Sequence, residues 1–317
     1  MSNAAAWSAG DLLDFSGKTV VITGANSGIG YEAALALARR HATVILACRS
    51  LERARAAAAA ISAAAADAAV EVMELDLASL KSVKGFAEAL HQRHHRLDVL
   101  CNNAGVMALP YSRTADGFEM QFGTNHLGHF ALTVLLLDLL LATPGARVVT
   151  VSSGMHWVGS IRFDNLQWER GGYRKWLAYG RSKLANLLFA FELQRKADRI
   201  GARLISAGCN PGYAATNLQA AGPRMSGSAL MESFWAFSNR YFAENAATGA
   251  LPTLYAAASP AVRGGDYIAP IYYGRGRGLP HRALCSAAAR DPQTAARLWE
   301  ISEQLTGCKA NLFAGPG

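Results

Sequence analysis

The chain has 317 residues, 51% of them apolar and 17% charged, with a formal net charge of +8. That much apolar material excludes a disordered tail, and the length allows one large α/β domain or two of ordinary size. The basic residues are scattered, with no Lys/Arg block longer than two, which excludes the concentrated footprint of a nucleic-acid binder; the excess charge acts as a general pull on anionic ligands.

Met1 to Ala6 lacks the charged start and apolar run of a signal peptide, and residues 1–14 are expected to be a disordered leader. Apolar, β-branched runs then alternate with helical patterns: Lys18–Thr23, Thr43–Ala47, Val70–Leu75, Val99–Cys101, Arg147–Val151 and Arg203–Ala207. Short strands without in/out alternation are buried on both faces, so the sheet should be parallel and covered by right-handed helical crossovers. The fold class is therefore α/β, a doubly wound parallel sheet with helices on both faces. Ser50 to Ala69, with its alanine runs, reads as a crossover helix. Leu127 to Ala142 reads as a buried helix, interrupted by His129 and Asp138 and short of the roughly 20 residues a bilayer crossing requires. No linker divides the chain before residue 220, so 15–317 is expected to be a single domain. Within it, Gly222–Ser228 leads into an apolar helical insert (222–245) suited to cover a substrate, and 274–317 forms a C-terminal extension with a helical pattern over Ala295–Gln304.

The first strand runs directly into Gly24-Ala25-Asn26-Ser27-Gly28-Ile29-Gly30, and a helical pattern follows. Glycines let the backbone turn tightly and approach a ligand, while the helix start offers free N–H groups and a positive dipole end to a diphosphate. The second strand ends Leu46-Ala47-Cys48-Arg49, where folds selecting an unphosphorylated ribose often place a carboxylate. Arg49 fits a ribose 2′-phosphate instead, which favours NADP(H) over NAD(H); the alternatives are NAD(H) itself and Arg49 as a plain surface residue. Tyr179 and Lys183, four apart, share one helical face. A neighbouring ammonium favours the phenolate, so Lys183 is expected to lower the Tyr179 pKa toward the range useful for proton transfer. The fifth strand ends Val151-Ser152-Ser153 at the carboxyl edge of the sheet, where open α/β folds bind ligands, and Ser153 is placed to hold a substrate oxygen.

Together these residues resemble the short-chain dehydrogenase/reductase family, whose Rossmann fold the doubly wound sheet matches. The resemblance rests on Thr23–Gly30, Asp76-Leu77, Asn102-Asn103-Ala104-Gly105, Asn125, Ser153, Tyr179, Lys183 and Pro211-Gly212, in the family's order over roughly residues 15 to 220. It implies that Gly24, Asn26, Ser27, Gly28, Ile29 and Gly30 cradle the pyrophosphate, that Arg49 reads a 2′-phosphate, that Asp76 and Leu77 meet the adenine, and that Asn103, Ala104 and Gly105 form the ribose-side turn. Tyr179 is then the general acid/base, Lys183 its activator and ribose contact, and Asn125 the anchor of a water relay to Lys183. Pro211, Gly212 and Thr216 line the nicotinamide. The implied activity is reversible hydride transfer between NADP(H) and an apolar alcohol or carbonyl compound; the alternative is a catalytically silent dinucleotide-binding scaffold or redox sensor. A closer resemblance, carried by Leu46–Arg49, Asn125–Phe130, Leu177–Leu187 and Asn210–Gly212, is to the retinol-dehydrogenase-like and WW-domain-oxidoreductase-like branch, from which Asn210 departs where His is usual.

Five widely spaced cysteines (Cys48, Cys101, Cys209, Cys285, Cys308) form no CxxC pair and point to reduced thiols in a cytoplasm. His91, His94 and His95 lack the company of a ligand set, and no metal is expected. Homodimers or homotetramers are compatible with the apolar Leu132–Leu141 and Leu184–Phe191 faces, as is peripheral membrane contact with the 229–242 insert.

Overall fold

The computed structural model describes residues 7–65, 67–211, 246–271 and 278–313. The insert expected at 222–245 lies outside the described residues, as do Gly212 and Thr216. Contrary to the leader expected through residue 14, the chain packs from Trp7 onward. Trp7 meets Tyr255 edge to face at 5.1 Å, Ser8 and Asp11 form a reciprocal capping box, and Leu12 is buried. Apolar Trp7 and Leu12 flanking a self-capped turn give this stretch a core to join, which its small-residue neighbours do not advertise.

Strands β1 (Thr19–Thr23), β2 (Thr43–Cys48), β3 (Ala69–Glu74), β4 (Val99–Asn102), β5 (Arg147–Val151), β6 (Ile205–Cys209), β7 (Tyr267–Pro270) and β8 (Pro280–Arg282) form one sheet in the order β3-β2-β1-β4-β5-β6-β7-β8. Every pairing is parallel except β7 with β8. β1 is buried throughout, whereas β3, at the edge, is largely half-buried with Ala69 and Glu74 exposed at its ends. Alternate residues of each inner strand feed two cores. Val20, Ile22, Val44 and Leu46 pack with helix α1 (Gly28–Ala38), and Val21, Ile45, Leu100 and Val148 face α3 (Leu80–Arg93), with α2 (Leu51–Ala64) on the α1 side.

The buried helix expected over Leu127–Ala142 divides into α4 (Gly128–Leu135) and α5 (Leu137–Ala142), with the break at Leu136. A π-helical turn, Gly123–Leu127, precedes α4 and contains Asn125; such wide turns often mark functional positions. Helix α6 (Lys175–Arg199) carries Tyr179 and Lys183, and α7 (Ala246–Ala258) packs on α1. Past β8 come α8 (Ala287–Arg290) and α9 (Pro292–Thr306), the latter capped by Asp291, opened by Pro292 and closed by left-handed Gly307 at φ +66°. Trp299 of α9 stacks on Phe189 at 5.7 Å and meets Phe130 edge to face at 5.0 Å, so the extension is part of the core.

Because β1 neighbours both β2 and β4, the winding reverses there and the carboxyl ends of the two halves diverge. That divergence opens a crevice where doubly wound sheets bind ligands.

Candidate active site

A cleft of about 340 Å³ occupies this crevice, lined by Gly24, Asn26, Ser27, Gly28, Ile29, Gly30, Arg49, Arg53, Asn103, Ala104, Gly105, Tyr179, Lys183 and Pro211 among others. Its glycines answer to geometry. Gly24 sits at φ +68°, and a Cβ on Gly30 would lie 2.6 Å from Asn103 Nδ2 and 2.8 Å from the Gly24 carbonyl oxygen. Ser27 heads α1 without capping it through its side chain, which leaves the hydroxyl and the first helix N–H groups for whatever enters the cleft. At the other rim stand two guanidinium groups, Arg49 and Arg53, and no carboxylate lines the cleft among the described residues. A turn without side-chain volume beside a helix start, ending at two cations, fits a dinucleotide that carries an extra phosphate.

Thr23, at the end of β1, organises the facing turn. Its Oγ1 accepts the N–H groups of Asn103 (2.9 Å) and Ala104 (2.8 Å), and Asn103 Nδ2 donates to the Thr23 carbonyl (2.8 Å). His129 lies behind it. Its Nδ1 is 3.0 Å from the Asn125 carbonyl oxygen and therefore carries the hydrogen, so Nε2 is the acceptor for the Thr23 hydroxyl at 2.9 Å. Burial pushes the His129 pKa down to about 4, with the Lys183 charge acting in the same direction. A neutral histidine thus bridges the glycine-turn strand and the Asn125 backbone.

Asn125 itself is fully engaged. Its Oδ1 accepts Val106 N–H (2.7 Å), and its Nδ2 donates to the Val106 carbonyl and to Ser182 Oγ (both 2.9 Å). Lys183 Nζ donates to the Val151 carbonyl (3.1 Å), which also accepts from Asn186 Nδ2 (3.0 Å). Ser152 Oγ donates to the Lys183 carbonyl (2.8 Å). Ser153 stands beside Tyr179, near enough for its hydroxyl to favour the phenolate. Tyr179, Lys183 and Ser152 therefore line the cleft, Ser153 stands beside Tyr179, and Asn125 lies behind Gly105 and Val106.

The lysine's expected effect on the phenol is not what the structure has. Burial pushes Tyr179 up to about 12, the Ser153 hydroxyl pulling the other way, and burial pushes Lys183 down to about 8. The ammonium lies 5.6 Å from the centre of the phenol ring, and with both groups buried, loss of hydration outweighs their mutual effect. Asp76 and Leu77 also sit apart from the cleft lining: Asp76 Oδ1 accepts Ala78 N–H, and Leu77 lies against Gly128. Arg53, Thr23 and His129 are the site residues that spacing did not single out. The position of Arg53 one turn into a helix that starts beside Arg49 was the available signal. His91 and His94 pair with Asp138 (2.9 Å) and Glu71 (3.2 Å).

Residues 18–226 match the short chain dehydrogenase family. The chain belongs to that family, in its retinol-dehydrogenase-like branch. It is 41% identical to human retinol dehydrogenase 13 over 298 residues, covering 93% of this chain and 86% of that protein. It is 40% identical to the human WW domain-containing oxidoreductase over 304 residues, covering 92% of this chain and 69% of the relative. Among solved structures, an uncharacterised protein from Mycobacterium paratuberculosis superposes with a TM-score of 0.78 at 44% identity, covering 96% of this chain and 99% of the other. A short chain dehydrogenase from Shigella flexneri, complexed with NADP, gives 0.61 at 25% identity over 82% of this chain and 98% of the other. The glycine turn, Arg49, the Asn103–Gly105 turn, Tyr179, Lys183 and Pro211 of this short-chain dehydrogenase line one cleft. No helix among its described residues is long and apolar enough to cross a membrane.

Proposed function

We propose that this short-chain dehydrogenase is an NADP(H)-dependent oxidoreductase that interconverts an apolar alcohol and its carbonyl compound, with Tyr179 as general acid/base. The observation that carries the reading is that Tyr179 and Lys183 line the same cleft as the glycine turn, Arg49 and Arg53, with Ser153 beside Tyr179. When bound, the nicotinamide supplies or accepts the hydride at C4.

The chain's own residues do the rest. The α1 N-terminus and the Gly24–Gly30 turn hold the pyrophosphate, and Asn103, Ala104 and Gly105 close over the ribose side. Arg49 and Arg53 pair with a 2′-phosphate, which is the basis for preferring NADP(H). Ser153 hydrogen-bonds the substrate oxygen, and Tyr179 gives it a proton during reduction or removes one during oxidation. A phenol held at about 12 is protonated at neutral pH, the form that reduction needs. Lys183 faces the ribose hydroxyls, and Asn125 holds the end of a relay that returns a proton toward it. Pro211 borders the nicotinamide. Relatives named retinol dehydrogenases make a long apolar alcohol the first substrate to test.

The test is Tyr179→Phe, assayed with a panel of aldehydes and alcohols from short aliphatics to retinoids by cofactor absorbance. Turnover should be lost while NADPH still binds, as read by fluorescence titration. A variant that turns over at the wild-type rate refutes the role given to Tyr179, and wild-type protein that binds no NADPH refutes the whole reading.

A further inference from the structure

Beyond the cleft, the geometry points to His156 as a positioning residue through which the C-terminal segment sets Ser153, an inference that rests on the role proposed above for Ser153. His156 is buried on a single turn (Gly154–Val158) that begins at Ser153. Its Nδ1 lies 2.7 Å from the Ser153 carbonyl oxygen. A carbonyl only accepts, so Nδ1 carries the hydrogen, and in the neutral ring Nε2 is then bare. That bare nitrogen accepts the backbone N–H of Ser286, 130 residues later in the chain, at 3.2 Å. Both ring nitrogens are thus committed in opposite senses: a second ring proton would set N–H against N–H. The Tyr267 ring, edge to face at 5.4 Å, holds the imidazole from β7.

Ser286 is a defined point of attachment. It begins α8, and its Oγ accepts Ala289 N–H, so its own N–H is free to point back at His156. On the other side, Ser153 Oγ accepts Met155 N–H (3.3 Å) and stands beside Tyr179, so a tilt of the Ser153 peptide moves the hydroxyl that the substrate oxygen would meet. The Ser153 carbonyl also accepts His156 N–H (3.0 Å), so the turn closes without the ring. What the ring adds is the tie to residues beyond β8. It assigns the extension a part in the active site.

Four variants of the full chain separate the parts of this link. His156→Phe removes both ring bonds at similar volume. His156→Asn keeps an N–H donor where Nδ1 stood. Ser286→Pro removes the N–H donor at a φ of −61°, which proline adopts readily, and Ser286→Ala removes only the Oγ cap. We expect His156→Phe to lower kcat about tenfold, the worth of one lost buried hydrogen bond, with the NADPH Kd changed less than about twofold. His156→Asn, which keeps the donor to Ser153 but offers Ser286 no acceptor where Nε2 stood, should fall with His156→Phe. Ser286→Pro should fall with His156→Phe, Ser286→Ala should not, and the Phe/Pro double variant should be no worse than His156→Phe alone. Nitrogen-15 NMR of the cofactor-free wild type should show a neutral Nδ1–H ring. An Nε2–H ring, a His156→Phe kcat within about twofold of wild type, equal losses in the two Ser286 variants, or additive losses in the double variant would each overturn the link. Failure of the parent reading is seen separately, in the Tyr179→Phe rate and in wild-type NADPH binding, neither of which depends on the ring's tautomer.

Discussion

Replacing Lys183 by Met removes a charge from a buried position and should stabilise the cofactor-free protein while abolishing its turnover. The ammonium is 2% exposed and is held at about 8 against its ordinary 10.5. At about 1.4 kcal/mol per pH unit, the fold disfavours the charged lysine by about 3 kcal/mol. The sign follows from proton linkage. Below pH 8 the side chain is protonated both folded and unfolded, and the penalty is present in full. Between 8 and 10.5 the unfolded chain binds more protons, so wild-type stability rises with pH, and above that range the penalty is gone. Met fills a similar volume, and the Val151 carbonyl keeps its bond from Asn186 Nδ2, so the substitution strands no acceptor. For a chain of this length, about 3 kcal/mol is worth on the order of 5 °C in Tm. Calorimetry of wild type and Lys183→Met without cofactor at pH 7 and pH 10.5 measures the difference, which should be largest at pH 7 and nearly absent at pH 10.5. A variant that melts lower than wild type at pH 7, or a difference independent of pH, refutes the claim that this lysine is a buried charge held in place at the expense of stability.

Other consequences can be measured on the same protein. Charge reversal at Arg49 should raise KM for NADPH by roughly ten- to a hundredfold, the range for a charge-assisted bond, and leave KM for NADH nearly unchanged. Arg53→Glu should act in the same direction, and equal effects on both cofactors would deny these residues a 2′-phosphate. Gly30→Ala drives a methyl to within 2.6 Å of Asn103 Nδ2 and should lower stability by ~1–3 kcal/mol, with NADPH affinity falling alongside; an unchanged melt would show that the turn yields. His129→Phe leaves the Thr23 hydroxyl and the Asn125 carbonyl without their ring partner, at ~1–3 kcal/mol for a buried polar group left unpaired. Its NADPH Kd should rise with the loss in Tm, and a Kd matching wild type would mean the ring supports the core alone.

Much of this architecture was legible along the chain because its causes are local. The apolar runs that mark β1, β2 and β5 are the strands observed, to within a residue or so at each end, since a strand buried on both faces needs unbroken apolar sequence. The glycine turn was legible because only residues without side chains fit where Gly24 and Gly30 stand, and Tyr179 and Lys183 because a spacing of four has one meaning on a helix. Boundaries were softer. The tail helix expected over Ala295–Gln304 runs from Pro292 to Thr306, because caps and not hydrophobic period set helix ends. The start of the chain was read as a leader, and Trp7 and Leu12 pack, since two apolar residues in a short stretch carry no period.

By itself, then, the amino-acid order determined the parallel sheet, the position of the crevice and the chemical types gathered at its mouth, all of which follow from periodicity and from residues near one another in the chain. Tertiary structure alone decided the protonation and partners of those types. It buried Tyr179 and Lys183 together, so that desolvation raised the Tyr179 pKa against the expected direction and lowered that of Lys183. It also set His129 against Thr23, 106 residues apart, and His156 against Ser286, 130 apart. Solvation and long-range hydrogen bonding depend on what surrounds a group in space, and no pattern of neighbours along the chain encodes that.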